Sequence, residues 1–225
     1  MNVYFLVEGK RTEKKVYPQW LSVLVPELKK INDANSVSEN NYYLFSGEGF
    51  PSILDHLKNA VEEVNTIGKY DYLVVCLDAE ETSCEERKTE ILNFLSKEKA
   101  TLLHAELVVI VQNPCFETWF LGNRAIFKRN PQSETLQRYI KFYNVRTNDP
   151  ELMPSYNEDS TKAQFHTNYL RKIFEERGIG YTKKNPGDVG KLHFLQELIK
   201  RNEETSHILS FKSFIDFCNL IKQLH

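Results

Sequence analysis

Acidic residues directly follow three apolar segments of this sequence, residues 3–7, 72–77 and 106–112. The acids are Glu8, Asp78 with Glu80, and Glu117. In an open parallel α/β sheet, ligands collect beyond the carboxyl ends of the strands. Acids that converge there repel one another unless a cation lies among them. The spacing therefore predicts an acidic metal site with these four acids as candidate ligands.

Asp78 and Glu80 form the most suggestive pair. Successive side chains of a strand point to opposite faces, which predicts that Asp78 and Glu80 share one side while Ala79 points away. Mg²⁺ takes few protein carboxylates and completes its shell with water and substrate phosphate oxygens. Each acid also has an ordinary interpretation, Glu8 as a solvated loop residue and Glu117 as an acid facing a helix dipole. The expected convergence of the acids favours the metal site.

A basic cluster follows Glu8 and consists of Lys10, Arg11, Lys14 and Lys15. On a helix Lys10 and Lys14 share one face, and so do Arg11 and Lys15. Beside an acidic site, these side chains can bind a nucleic-acid backbone. The alternative interpretation is a solvated helix face opposite an apolar one.

The composition is that of a soluble globular protein, with 41% hydrophobic and 27% charged residues. The formal net charge is −2, so a nucleic-acid partner needs a local basic face or metal ions that screen the acids. The four cysteines show neither zinc nor disulfide spacing, which favours buried thiols in a reducing compartment. No apolar run approaches the about 18 residues of a membrane span. We therefore expect a cytoplasmic protein with no membrane partner.

Strand and helix patterns alternate in the first half of the chain. The predicted strands are residues 3–7, 42–46, 72–77 and 106–112, and a helix with a buried stripe starts near residue 52. Strands separated by helices favour βαβ units. The pattern predicts an α/β core with a parallel sheet flanked by helices over residues 1–125.

The second half, residues 126–225, lacks strand patterns. Helical patterns occupy residues 161–177, 187–201 and 211–223. We expect these helices to form a helical C-terminal cap packed on the core. Arg171 and Lys172, in the first of them, are interpreted as surface charges.

Two short segments carry a resemblance to a known fold family. Val7-Glu8-Gly9 closes the first predicted strand, and Leu77-Asp78-Ala79-Glu80 closes the third. This combination resembles the Toprim fold of type IA and II topoisomerases, bacterial primases, OLD-family nucleases and RecR-type repair proteins. The resemblance implies that Glu8 acts as a general acid or base and that the Asp78 segment holds Mg²⁺. This chain has Asp-x-Glu where the Toprim pattern has Asp-x-Asp.

Two further segments are similar to RloB-like proteins, a Toprim-like group associated with restriction and phage defence. Residues 113–120 read Asn-Pro-Cys-Phe-Glu-Thr-Trp-Phe, similar to the Asn-Pro-x-Phe-Glu-x-Trp stretch of that group. Residues 181–184 read Tyr-Thr-Lys-Lys, similar to its Tyr-x-Lys element. The Toprim resemblance covers residues 1–125, and the RloB-like one extends to about residue 190.

The resemblance implies a Mg²⁺-dependent endonuclease, with Mn²⁺ as a substitute, that hydrolyses phosphodiester bonds of DNA or RNA as a phage-defence effector. Lys183 or Lys184 would stabilise charge on the phosphate, although a solvated turn is the ordinary interpretation of this pair. Since no ATPase motif is present, we expect control by a separate ATPase, by another defence-system protein or by homo-oligomerisation.

Two alternatives to the nuclease stay open. The first is a non-catalytic Toprim scaffold in a defence or repair complex, which the Asp-x-Glu variation and the weak basicity favour. The second is nucleotidyl transfer or nucleotide hydrolysis. It has less support because the sequence contains no glycine-rich triphosphate cradle.

Overall fold

The computed structural model describes residues 1–224 and has an α/β fold built on a five-stranded parallel sheet. The strands are β1 (Asn2–Val7), β2 (Lys29–Ile31), β3 (Asn41–Ser46), β4 (Tyr72–Asp78) and β5 (Glu106–Gln112). They lie in the order β2-β3-β1-β4-β5, and every pairing is parallel. The predicted fold class is confirmed.

Eight α-helices accompany the sheet within the described residues. They are α1 (Glu13–Leu24), α2 (Ser52–Ile67), α3 (Cys84–Lys97), α4 (Phe116–Leu121), α5 (Glu134–Phe142), α6 (Lys162–Glu176), α7 (Leu192–Thr205) and α8 (Leu209–Gln223). None of the helices in residues 1–224 has the length and apolarity that crossing a bilayer requires.

The central strand β1 is buried on both faces. Its side chains alternate between two apolar clusters, with Val3, Phe5 and Val7 in one and Tyr4 and Leu6 in the other. A strand covered on both faces is apolar throughout, since neither set of alternate residues meets water. Helices α2 and α3 cover one face, and α1, α4, α6, α7 and α8 contribute to the cluster on the other.

The helices after residue 125 pack directly on the sheet. The ring centroid of Phe217, in α8, lies 6.2 Å from that of Phe5 in β1. Phe214 of the same helix contacts Trp20 of α1 and Trp119 of α4, with ring centroids 6.1 Å away in both cases. The C-terminal helices therefore share one apolar core with this face of the sheet.

Two short elements were not predicted from sequence. Strand β2 has only three residues, lies at the sheet edge and is mostly exposed, so it has no apolar pattern. Helix α5 buries only Leu136 fully, although Ser133 caps its first turn. The predicted helix at 187–201 starts instead with a 3-10 turn at Gly187–Gly190, and α7 follows.

The chain connections reverse direction between β1 and β4. From β1 the chain passes through α1 to the β2 edge, whereas from β4 it passes through α3, on the opposite face, to β5. Such a reversal opens a crevice beyond the carboxyl ends of the two strands, where α/β proteins bind ligands. Glu8 and Asp78 occupy the ends of these two strands.

Candidate functional site

A cavity of about 350 Å³ lies at the carboxyl ends of β1 and β4. Its walls include all four acids that the sequence indicated, together with two further acids and three basic residues. These side chains are Glu8, Asp78, Glu80, Glu117, Glu13, Glu48, Lys10, Arg11 and Lys183. The structure therefore brings the predicted acids to one place, although each is held differently.

Glu8 is fixed by two backbone amides. Its Oε2 accepts a hydrogen bond from the Asp78 amide at 2.9 Å, and its Oε1 accepts one from the Phe50 amide at 3.2 Å. The side chain is 9% exposed, and this burial raises its carboxyl pKa, as does nearby Glu80. The two amides oppose the shift because they stabilise the charged form. Glu8 is thus a rigidly oriented acid whose proton affinity is above normal.

Asp78 links β4 to α4. Its Oδ1 accepts a hydrogen bond at 2.9 Å from the amide of Phe116, the first residue of that helix. Burial raises the pKa of Asp78 well above its usual range, and the carboxylates of Glu8, Glu13 and Glu117 raise it further. Since these negative groups surround it, the ionised form of Asp78 needs a cation nearby.

Glu80 lines the same cavity as Asp78, as expected, but strand alternation is not the reason. Strand β4 ends at Asp78, and the chain turns there, with the Glu80 amide donating to the Pro114 carbonyl at 2.8 Å. Glu80 has a left-handed backbone conformation with φ of 56°. The alternation of strand side chains therefore does not apply to it. Glu80 is exposed and lines the rim of the cavity, beside the hydrogen-bonded carboxylates of Glu8 and Asp78.

Glu117 has the cationic partner that the sequence did not reveal. Its side chain is only 2% exposed, and its Oε1 accepts a hydrogen bond from the Tyr181 hydroxyl at 3.1 Å. The Lys183 Nζ lies 3.6 Å from the same oxygen, and this ion pair raises the pKa of Lys183. A lysine therefore lies among the converging acids at this position.

Lys183 and Lys184 differ in position. Lys183 lines the cavity. Lys184 is exposed and does not contribute to the described cavity wall, and its backbone carbonyl accepts a hydrogen bond from the Lys15 Nζ at 2.7 Å. The Thr12 hydroxyl donates to the Lys183 carbonyl at 3.2 Å. Two contacts from the start of α1 thus hold the segment that carries Lys183.

Glu13 was missed by sequence reasoning. It is 5% exposed, belongs to the first turn of α1, and its Oε1 lies 3.5 Å from the Gln112 Nε2. Burial raises its carboxyl pKa well above normal, and Glu8 and Glu117 add to this. An available signal was its place on the buried stripe of α1, three and four residues before Val16 and Tyr17.

The basic residues after Glu8 do not act as one group. Lys10 and Arg11 line the cavity, whereas Lys14 is exposed and is not part of the described wall. The Lys10 Nζ pairs with the exposed Glu48 at 3.0 Å. Of the predicted cluster, Lys10 and Arg11 are therefore placed to meet a ligand in the cavity.

The donor set suits only one kind of metal site. Among residues 1–224, no three or more His, Cys, Asp or Glu side chains form a group that could hold a metal ion by themselves. Backbone amides already engage Glu8 and Asp78, and Tyr181 engages Glu117. A Mg²⁺ ion that takes one or two carboxylates, several waters and substrate phosphate oxygens fits these residues, and an all-protein cage does not.

Comparisons with known proteins add no functional information. No protein-family model matches the chain. No curated protein and no solved structure matches it either. The function of the cavity is therefore inferred from its residues and geometry.

Proposed function

We propose that this chain is a metal-dependent nuclease that hydrolyses phosphodiester bonds of DNA or RNA. The observation that carries the proposal is the meeting of buried acids from four elements at the crevice between β1 and β4. Burial and mutual repulsion raise the pKa values of Glu8, Glu13 and Asp78 together. Groups perturbed in this way within a cleft are typical of functional sites.

Asp78 and Glu117 would hold Mg²⁺ or Mn²⁺, because they are the fixed carboxylates that flank the cavity next to Lys183. Glu80 would replace one of these two ligands rather than add a third, because the described residues form no group of three. Such a cation, when bound, polarises a phosphate and lowers the pKa of a coordinated water. The site would be completed by water and phosphate oxygens.

Glu8 is suited to carry the proton of the reaction. Its carboxyl is oriented by the Asp78 and Phe50 amides, and its raised pKa favours accepting a proton from the attacking water. Lys183 supplies a positive charge beside Glu117, suited to the negative charge that develops on the phosphate in the transition state. Lys10 and Arg11 would bind the adjacent backbone.

The non-catalytic scaffold stays the second candidate, and two observations favour it. Both oxygens of Glu8 accept amide hydrogen bonds, and the described residues form no ready-made metal cage. Under this alternative the same cavity binds nucleic acid without cutting it. The two candidates differ in whether Glu8 is needed for biological activity.

The test is cleavage of labelled single- and double-stranded DNA and RNA, tRNA included, with Mg²⁺ or Mn²⁺. Wild type is compared with Glu8→Gln and Asp78→Asn, and with Glu85→Gln as a control, since Glu85 is exposed on α3 and, within the described residues, pairs only with Lys88. We expect metal-dependent cutting in wild type and the control. We expect losses of at least about 100-fold in the other two variants. Equal cutting by Glu8→Gln would reject the assigned role of Glu8.

The resemblance to RloB-like proteins supports a role in phage defence, with a partner protein that switches the nuclease on. A phage-protection assay in cells separates a scaffold from a nuclease that is silent without its partner. Protection that is lost in Glu8→Gln supports the nuclease. Protection that Glu8→Gln retains supports the scaffold.

A further inference from the structure

A second cavity continues the first on the far side of the acids. It measures about 480 Å³ and shares Asp78, Glu80, Glu117 and Lys183 with the first cavity. The first cavity is therefore not closed at the acids. They lie in the middle of a groove that extends in two directions.

The far wall of this second cavity is one face of α6. The side chains that it contributes are spaced three, four and seven residues apart, as one helix face requires, and are Gln164, Thr167, Asn168 and Arg171. The opposite face of α6 is buried, with Tyr169 and Leu170 fully enclosed. The polar face is thus directed to the groove because the apolar face is fixed in the core.

Helix α6 is held rigidly against α4, the helix that carries Glu117. The Thr118 hydroxyl lies 2.8 Å from the His166 Nδ1, and the His166 Nε2 lies 3.2 Å from the Met153 carbonyl. Burial lowers the pKa of His166 to about 4, so the ring is neutral at physiological pH and donates to the carbonyl through Nε2. This buried link fixes the distance between the acids and the polar face of α6.

Arg171 differs from its neighbour on the same helix. The Lys172 Nζ pairs with Glu175 at 2.6 Å. Arg171 is exposed, and within residues 1–224 it has neither an ion pair nor a side-chain hydrogen bond. A free guanidinium beside amide and hydroxyl groups is the combination that binds phosphate and sugar.

We propose that the polar face of α6, with Arg171 as its cation, is a second arm of the substrate groove. It binds the nucleic-acid strand on the side of the acids opposite to Lys10 and Arg11. A substrate held at both arms must continue past the scissile phosphate in both directions, so the groove selects an internal position of a polynucleotide over a mononucleotide or a strand end. This inference rests on the proposed function, and it concerns binding rather than the chemical step.

The test measures binding, so that it does not depend on cleavage. Fluorescently labelled single-stranded RNA and DNA are titrated by anisotropy in Ca²⁺ at several salt concentrations. The proteins are wild type, Arg171→Ala, Asn168→Ala and, as the matched control, Lys172→Ala. Both Arg171 and Lys172 lie at the surface of α6, and thermal unfolding verifies that each variant is folded. We expect Arg171→Ala to weaken binding about three- to ten-fold and to reduce the slope of log K against log salt by about one.

Three outcomes are distinguishable. Weaker binding and a reduced salt slope in Arg171→Ala, with Lys172→Ala like wild type, support the second arm whether or not wild type cuts. Wild-type binding by Arg171→Ala overturns the second arm and leaves the nuclease intact if Mg²⁺-dependent cutting is observed. Absence of nucleic-acid binding by wild type overturns both proposals.

Discussion

At the scale of single residues, Gly9 and Glu13 lie so close together that a side chain at position 9 would force Glu13 to move. A β-carbon placed on Gly9 would lie 1.8 Å from the Glu13 Oε2. The missing side chain thus creates the space in which the Glu13 carboxylate reaches the turn after β1. The constraint at Gly9 comes from this close approach, not from an unusual backbone angle.

Gly9→Ala should therefore displace Glu13 and destabilise the protein by about 1–3 kcal/mol, the usual range for overpacking at a buried contact. Gly180→Ala is the matched control, because an added β-carbon at Gly180 would have no neighbouring atom within 4 Å. Urea unfolding of the two variants measures the difference. Equal stabilities would show that Glu13 moves away without a penalty.

Asp78 allows a second prediction at this scale. Asp78→Asn keeps an oxygen that can accept from the Phe116 amide but removes one negative charge from the buried acids. Without metal, the variant should be more stable than wild type, because the repulsion from Glu8, Glu13 and Glu117 is reduced. With Mn²⁺ or Mg²⁺ the difference in stability between the variant and wild type should become smaller or change sign, since a cation bound to the native state stabilises wild type.

Thermal unfolding with and without each metal measures both parts of this prediction. Glu85→Gln serves again as a control for the loss of a surface acid. A wild type whose unfolding temperature does not respond to either metal would argue against metal binding at Asp78.

At the scale of elements, the first residues of α8 depend on an acid from a distant loop. The Glu151 Oε1 accepts hydrogen bonds from the Ser210 amide at 3.0 Å and from the Ser210 hydroxyl at 2.5 Å. The same hydroxyl oxygen accepts from the Trp119 indole at 2.6 Å. Glu151 thus joins α8 to α4 through one serine, and burial raises its carboxyl pKa to about 7.

This pKa predicts a specific pH dependence of stability. Between the ordinary carboxyl pKa near 4.5 and about 7, the folded protein retains the Glu151 proton while the unfolded chain loses it. The contribution of Glu151 to stability therefore falls as pH rises through this window and is constant above it. Glu151→Gln keeps an oxygen acceptor for Ser210 but cannot ionise. Relative to wild type, this variant should gain about 1–3 kcal/mol between pH 5 and pH 8.

Urea unfolding at several pH values measures this gain, and the difference between the two proteins cancels the contributions of the other acids. Glu175→Gln, at an exposed position on α6, is the control and should show no comparable gain. A constant difference between Glu151→Gln and wild type across this range would contradict the raised pKa.

Elements also show what could be predicted from the sequence. The ends of β1, β4 and β5 were predictable because each strand is a local apolar run that stops at a polar residue. The turn at Glu80 was not, because it depends on a hydrogen bond to Pro114 from the neighbouring strand end. The position of Arg171 beside the acids has no local signal in the sequence, since the acids that line the same cavity come from β4 and α4.

At the scale of the whole molecule, the site is assembled from both halves of the chain. Glu8, Asp78 and Glu117 come from the sheet and its first helices, whereas Tyr181 and Lys183 come from the segment after α6. The resemblance to RloB-like proteins drew attention to residues 181–184, but only the packing shows that Lys183 reaches Glu117 and Lys184 does not. Long-range contacts of this kind leave no periodic signal in sequence.

The contacts that join the halves are numerous. The Trp20 indole donates to the Val189 carbonyl at 3.0 Å, and Thr12 and Lys15 bind the backbone of residues 183 and 184. Trp119 and Phe214 stack with centroids 6.1 Å apart inside the same core. The segment that carries Lys183 is therefore positioned by α1 as well as by its own turn, in which the Asn185 amide donates to the Thr182 hydroxyl at 2.9 Å.

This assembly has a consequence during protein synthesis. The ribosome completes the sheet and its acids well before the segment with Tyr181 and Lys183 emerges from the exit tunnel. Until then Glu117 lacks both of its partners, and the groove lacks the wall that α6 provides. An unfinished nascent chain therefore lacks the complete site, which forms only after the second half of the chain has been translated.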